Sequence, residues 1–349
     1  MASVPDLEIT HEKIIDKSSV VYGESGTGKS YIIVDMLYAL RPHIDQIIVF
    51  APTDRQNHTY DRGIVPLPCI HYTITPQLLS DIWNRQEALV AVYSQSNKKA
   101  VLESLFHRIP PARRNQADAV IAEIGIKLKT SERELQQRNL DDSQFKTKLN
   151  EMKEDCDKLV IQIYKNYITK EAANLQRMNL SEDEQFTLKY HAMNPRLVIV
   201  FDDCTDLIKK YRANDVMQKI FYQGRHSMIT AIIAVHTDKA LDSELKKNAA
   251  ISIFTEMPCA SAYITRPSTS LDKESQAKAL AACKIAFGDP ERPFQKLAYV
   301  RHEKKYYKFT AQKREGFTFC SAIIKSFCKI IAVESGKVSA DNKFISEFK

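Results

Sequence analysis

Short apolar runs bounded by polar, glycine or proline residues punctuate the chain. They are SSVVY (18–22), DQIIVFAPT (45–53), LVIVF (197–201), TAIIAVHT (230–237) and ISIF (251–254). Runs of this length without alternating polar positions predict strands covered on both faces. Between the first two, Ile32, Ile33, Met36, Leu37 and Leu40 recur at helical spacing, and Pro42 closes that helix. A strand, a helix and a second strand in close succession make a βαβ unit. Residues 54–75, with Gly63, Pro66 and Pro68, predict a loop, and 76–107 predict a helix. Later in the chain the pattern predicts helices over 208–224, 272–287 and 318–333, and a β-hairpin over 296–311.

The pattern changes after Pro110-Pro111. Residues 112 to about 190 are rich in charge, with no proline and a single glycine, Gly125. Phe145, Leu149, Met152, Cys156, Leu159 and Ile163 follow in steps of four and three, a narrow apolar stripe that predicts a helical hairpin rather than an intermolecular coiled coil, because the register is short. The expected organisation is an α/β domain in two parts, 1–110 and 193–349, interrupted by a charged helical insertion at 111–192.

A chain of 349 residues that is 44% hydrophobic buries a substantial core. It holds no run of eighteen apolar residues, and its start lacks the charged-then-apolar pattern of a signal peptide, so neither a membrane span nor export is expected. Seven cysteines without a CxxC or a Cys/His cluster suggest reduced thiols rather than a zinc site or a disulfide framework. The net charge of +7 permits a polyanionic partner, but it is dispersed along the chain.

Three of the nine glycines fall in Gly23-Glu24-Ser25-Gly26-Thr27-Gly28-Lys29-Ser30, which fits G-x-x-x-x-G-K-[ST] at every fixed position. A backbone that wraps a polyphosphate must turn successive N–H groups inward where a Cβ would obstruct them, and the helix behind presents its unpaired N–H groups and positive dipole end. The expected ligand is ATP with Mg²⁺: Lys29 reaches the β and γ phosphates and the Ser30 hydroxyl ligates the metal.

Asp202 and Asp203 close the strand 197–201, where an acidic pair faces the crevice in which α/β sheets bind ligands. Asp202 is expected on Mg²⁺ and Asp203 as the carboxylate that orients and deprotonates the attacking water. Cys204 reads as a buried structural thiol. His236, at the end of 230–237, is a candidate γ-phosphate sensor. Arg225 is a candidate arginine finger, set before that strand in YQGRHSM. Arg301, Lys304, Lys305 and Lys308, around Tyr306 and Tyr307, form a charged hairpin that suits a solvated edge better than a phosphate surface.

Three blocks, VVYGESGTGKSYII, LVIVFDDC and YQGRHSMITAIIAVHT, with IIVFAP after the first, resemble the genome-packaging ATPases of nucleocytoplasmic large DNA viruses, poxvirus type, in the FtsK/HerA superfamily. The resemblance implies a RecA-like, mainly parallel sheet flanked by helices. It also implies a homo-oligomeric ring, hexameric in form, that drives double-stranded viral DNA into capsids, in the host cytoplasm (viral factory) or the virion. On it Arg225 matches the Gly-Arg-His arginine. Two departures stand out. His236 replaces the glutamine common at the sensor position and brings a titratable group there, and nothing transfers onto the helical insertion. A nucleoside or nucleotide kinase is the alternative, but the chain shows no arginine-rich lid and its Asp-Asp strand lies far downstream of the loop. A structural virion protein using ATP as an assembly switch is a third reading, and an intact Lys29, Ser30 and Asp203 speak against it.

Overall fold

The computed structural model describes residues 4–138, 141–237, 241, 243–266, 271–322, 324–326, 328 and 331. They form two compact units, one from residues 1–87 with 195–349 and one from 88–194.

The first unit is built on an eight-stranded sheet. Its strands are β1 (Ser18–Tyr22), β2 (Gln46–Phe50), β3 (Ile70–His71), β4 (Leu197–Phe201), β5 (Ile229–Val235), β6 (Ile251–Phe254), β7 (Lys296–Val300) and β8 (Lys305–Phe309). They lie in the order β3-β2-β4-β5-β1-β6-β7-β8. The first six of that order run parallel, and β7 and β8 are antiparallel. Every residue of β1, β2, β4, β5 and β6 is buried. Alternate side chains therefore enter opposite cores. Val20, Tyr22, Ile199, Phe201, Ile233 and Val235 face one layer, which takes in helices Asp215–Tyr222, Met257–Ile264 and Lys273–Phe287. Val21, Val49, Val198, Val200, Ile232 and Ala234 face the other, covered by helix Lys29–Leu40 through Ile32, Ile33, Met36, Leu37 and Leu40. Each fully buried aliphatic side chain contributes about 1.5–3 kcal/mol, and the few polar residues in these runs, Ser18, Ser19, Gln46, Thr230 and Ser252, are buried as well. The result is a RecA-like, mainly parallel sheet between helical layers.

The strand register fixes where chemistry can occur. Tyr22 pairs with Val235, and Phe201 with Ile233. The carboxyl ends of β1, β4 and β5 thus open side by side at one end of the sheet.

Several boundaries differ from the sequence reading. The helix expected over 208–224 is two, Thr205–Tyr211 and Asp215–Tyr222. Asn214 splits them because its side chain accepts the Val216 and Met217 N–H groups, a helix start rather than an interior position. Short β3 and helix Met257–Ile264 add to the pattern. The hairpin is present as β7–β8. It is tied into its own fold: Arg301 donates to the Ala249 and Lys246 carbonyls, and the Tyr306 ring packs at a tilt against Tyr299, centroids 4.8 Å apart. Of the closing helix expected over 318–333, residues 318–321 are not helical, 322, 324–326, 328 and 331 are, and the others lie outside the described residues.

The second unit is helical, with Lys99–Arg108, Pro111–Gln136, Asp142–Leu175 and Glu182–Tyr190 following the end of Pro76–Ser96. The helix expected over 76–107 breaks at Asn97, whose side chain donates to the Tyr93 carbonyl at 2.6 Å and ends the first segment. The unit begins at Ala88 rather than 111, because Leu102, Leu105, Phe106 and Ile109 share one core with Val160, Tyr164 and Ile168. The inward stripe also differs from the heptad reading: Leu159 is 57% exposed, while Val160, Tyr164, Ile168 and Leu175 are buried. The face follows the 3.6-residue period of a straight helix.

Candidate active site

Between β1 and helix Lys29–Leu40 the loop turns through Gly26 at φ +78° and Gly28 at φ +92°, a region that L side chains avoid. Gly23 is required for another reason. A Cβ there would sit 1.7 Å from Thr255 Oγ1. Thr255 follows β6, and its Oγ1 lies 3.1 Å from the Tyr22 carbonyl and 2.7 Å from Thr27 Oγ1. Lys296, from β7, donates Nζ to the carbonyls of Thr27 (3.0 Å) and Thr255 (3.1 Å). Burial pushes the pKa of Lys296 down. The Glu24 N–H donates to Glu256 Oε1 at 2.9 Å. Strands β6 and β7 therefore brace the loop from one side.

Lys29 is 6% exposed, donates Nζ to the Glu24 carbonyl at 2.8 Å, and lies 3.5 Å from His236 Nδ1. A lysine folded back on its own loop has a backbone carbonyl in the place an anionic oxygen would take.

Asp202, just past β4, is 4% exposed. Its Oδ2 accepts from Ser30 Oγ and from Tyr60 OH, each at 2.8 Å, while its Oδ1 is buried with no hydrogen-bond partner. Burial raises the pKa of this carboxyl, and the neighbouring Asp203 charge adds to the rise. A buried carboxylate oxygen without a donor, beside a serine hydroxyl, is a hard-oxygen site that a cation or its water would satisfy. Among the described residues no group of three or more His, Cys, Asp or Glu side chains is arranged for a metal. An Mg²⁺ held here by Ser30 and Asp202 would therefore take its other ligands from phosphate and water, the habit of that ion.

Asp203 sits at φ +52°, a left-handed position that aspartate tolerates and that ends the strand sharply. Its Oδ2 accepts from Thr53 Oγ1 at 2.8 Å, and its Oδ1 is 3.7 Å from His236 Nε2. Asp203, His236, Thr205 and Tyr72 line a cleft of about 510 Å³. Cys204 is fully buried and donates to the Phe50 carbonyl at 3.1 Å.

The structure thus brings Gly23–Ser30, Asp202, Asp203 and His236 together. Arg225 does not join them. It is exposed, at the amino end of β5, with Nε 3.3 Å from His226 Nε2. The seven residues of β5 separate it from the loop end of the sheet, roughly 20 Å at strand rise. Sequence reasoning missed Thr53, Tyr60, Thr255, Glu256 and Lys296. The carboxyl ends of β2 and β6 mark Thr53, Thr255 and Glu256 by the same rule that marked Asp202; Tyr60 and Lys296 give no local signal.

No family model matches the chain. Protein B354L of African swine fever virus (isolate Pig/Kenya/KEN-50/1950) is 28% identical over 362 aligned positions, covering 99% of this chain and 96% of the relative. Protein L437 of Acanthamoeba polyphaga mimivirus is 36% identical over 91 residues, 26% of this chain and 31% of the relative. Among solved structures, the genome-packaging NTPase B204 of Sulfolobus turreted icosahedral virus 2, in complex with ATP-gammaS, aligns over 84% of this chain and 96% of its own at 12% identity and a TM-score of 0.37. The plasmid coupling protein TrwB, in complex with GDPNP, aligns over 92% of both chains at 9% identity and a TM-score of 0.36.

Proposed function

We propose that this protein is an Mg²⁺-dependent ATPase that assembles as a ring, hexameric in form, and drives double-stranded viral DNA into capsids, working in the host cytoplasm or the virion. One observation carries the reading: the phosphate loop, the Ser30–Asp202 pair and the Asp203–His236 pair converge at the carboxyl ends of β1, β4 and β5. Among the described residues, no helix is long and apolar enough to cross a membrane.

In this account ATP draws Lys29 Nζ off the Glu24 carbonyl and onto the β and γ phosphate oxygens, while the loop amides and the helix N-terminus cradle the rest. Ser30 and Asp202 hold Mg²⁺, which when bound neutralises phosphate charge. Asp203, steadied by Thr53, aligns the attacking water and takes its proton. His236 donates to the γ phosphate. Arg225, remote from its own loop, serves the site of a neighbouring subunit. Catalysis is then positioning and charge stabilisation. A kinase would need a phosphate acceptor held beside Asp203, and the residues that line the cleft there form no evident acceptor site.

The DNA half of the proposal is tested by ATP turnover with and without linear double-stranded DNA at low and moderate salt. Stimulation that fades as salt rises is expected, because phosphate contacts release counterions. Turnover indifferent to DNA at both salt levels would contradict it.

A further inference from the structure

The site has two ends, and they are not alike. Asp203 and His236 mark the end where the γ phosphate would lie. On the other side of the loop a second cleft, of about 630 Å³, starts at the first turn of helix Lys29–Leu40. Its lining includes Ser30, Tyr31, Arg62, Ile64, Lys313 and Phe317, drawn from that helix, from the stretch after β2 and from residues 313–318. The volume suits a small organic ligand. Ser30 belongs to both places: its hydroxyl donates to Asp202, and the residue also lines this cleft.

The roof of this cleft is built into the fold. Asp35 is buried, and its carboxylate accepts from the Gln312 N–H at 3.1 Å and from Arg314 Nε at 2.8 Å. The Arg314 guanidinium lies 4.2 Å over the Tyr38 ring, and Phe317 meets the same ring edge-on at 5.3 Å. At the mouth stands Tyr31, a 58% exposed aromatic residue directly behind Ser30. The N–H groups of a helix's first turn have no partners within the helix, so a chain of phosphates running from Lys29 past Ser30 leaves the loop at Tyr31.

Resting on the nucleotide reading above, we infer that this cleft is the nucleoside subsite: the Tyr31 ring stacks on the base, and residues 313–318 close over the base and ribose. Residues 313–318, which carry no motif, thereby take on a ligand-binding task. Tyr31 becomes a determinant of nucleotide affinity that acts on the nucleoside and not on the phosphates.

Two ligands separate these effects: a non-hydrolysable ATP analogue and inorganic tripolyphosphate, each titrated with Mg²⁺ into the full chain by calorimetry. Loss of a base–aromatic stack weakens binding about tenfold. Tyr31→Ala should therefore weaken the ATP analogue about tenfold and leave tripolyphosphate unchanged, while Tyr31→Phe keeps the wild-type affinity for both. Unchanged analogue affinity in Tyr31→Ala would overturn the subsite, as would equal weakening of both ligands, which would mean that the ring acts through the phosphate loop. Wild-type protein that binds neither ligand would overturn the nucleotide reading itself, and this inference with it. Binding of both by wild type combined with an indifferent Tyr31→Ala would sink only the subsite.

Discussion

Asp202 carries an electrostatic cost in the nucleotide-free fold. Its Oδ1 has no partner and burial disfavours its charge, so ionisation costs the empty fold stability. The folded chain holds this proton more tightly than the unfolded chain. The cost is therefore absent below the ordinary carboxylate pKa of 3.8 and grows as pH rises through the higher folded value. In nucleotide-free protein at neutral pH, Asp202→Asn should melt higher than wild type, by about 2–4 °C for each kcal/mol relieved, with the gap closing toward pH 4 and with hydrolysis lost. Thermal melts across pH check this; a variant that melts lower at pH 7 would deny that the charge is strained. The sequence exposed Asp202, Asp203 and the loop because motif and strand end coincide there. It could not expose Tyr60 or Lys296, whose roles arise only when Asp202 and Thr27, far away in sequence, are brought beside them.

At the scale of elements, strands were the most legible part, since a run buried on both faces is almost continuously apolar, as in β4 and, apart from Thr230, β5. Helix limits were less so. The break at Asn97 and the split at Asn214 depend on side-chain-to-backbone bonds that an apolar pattern does not register. The insertion teaches the same lesson, because a step of three or of four from Cys156 is decided by packing against Phe106. Ile168→Asp, at a fully buried position, should destabilise this unit by about 3 kcal/mol or more. Leu159→Asp, at a position 57% exposed, should stay within about 0.5 kcal/mol of wild type. Denaturant titration separates them, and equal effects would restore the heptad reading.

At the scale of the whole molecule, the far placement of Arg225 makes the account depend on neighbours. Arg225→Ala and Lys29→Ala should each be inactive alone, yet mixing them should restore part of the turnover, because an intact Lys29 site can then face an intact Arg225. No recovery on mixing, with both variants oligomeric, would remove Arg225 from the chemistry. The central claim is that the convergence around Lys29 and Asp203 hydrolyses ATP, and its most direct test is steady-state hydrolysis measured beside ATP binding for wild type, Lys29→Ala and Asp203→Asn. Wild type should turn over, and Lys29→Ala should show neither binding nor turnover. Asp203→Asn should bind like wild type and turn over about a hundredfold more slowly or worse. Equal turnover in Asp203→Asn and wild type would contradict the account.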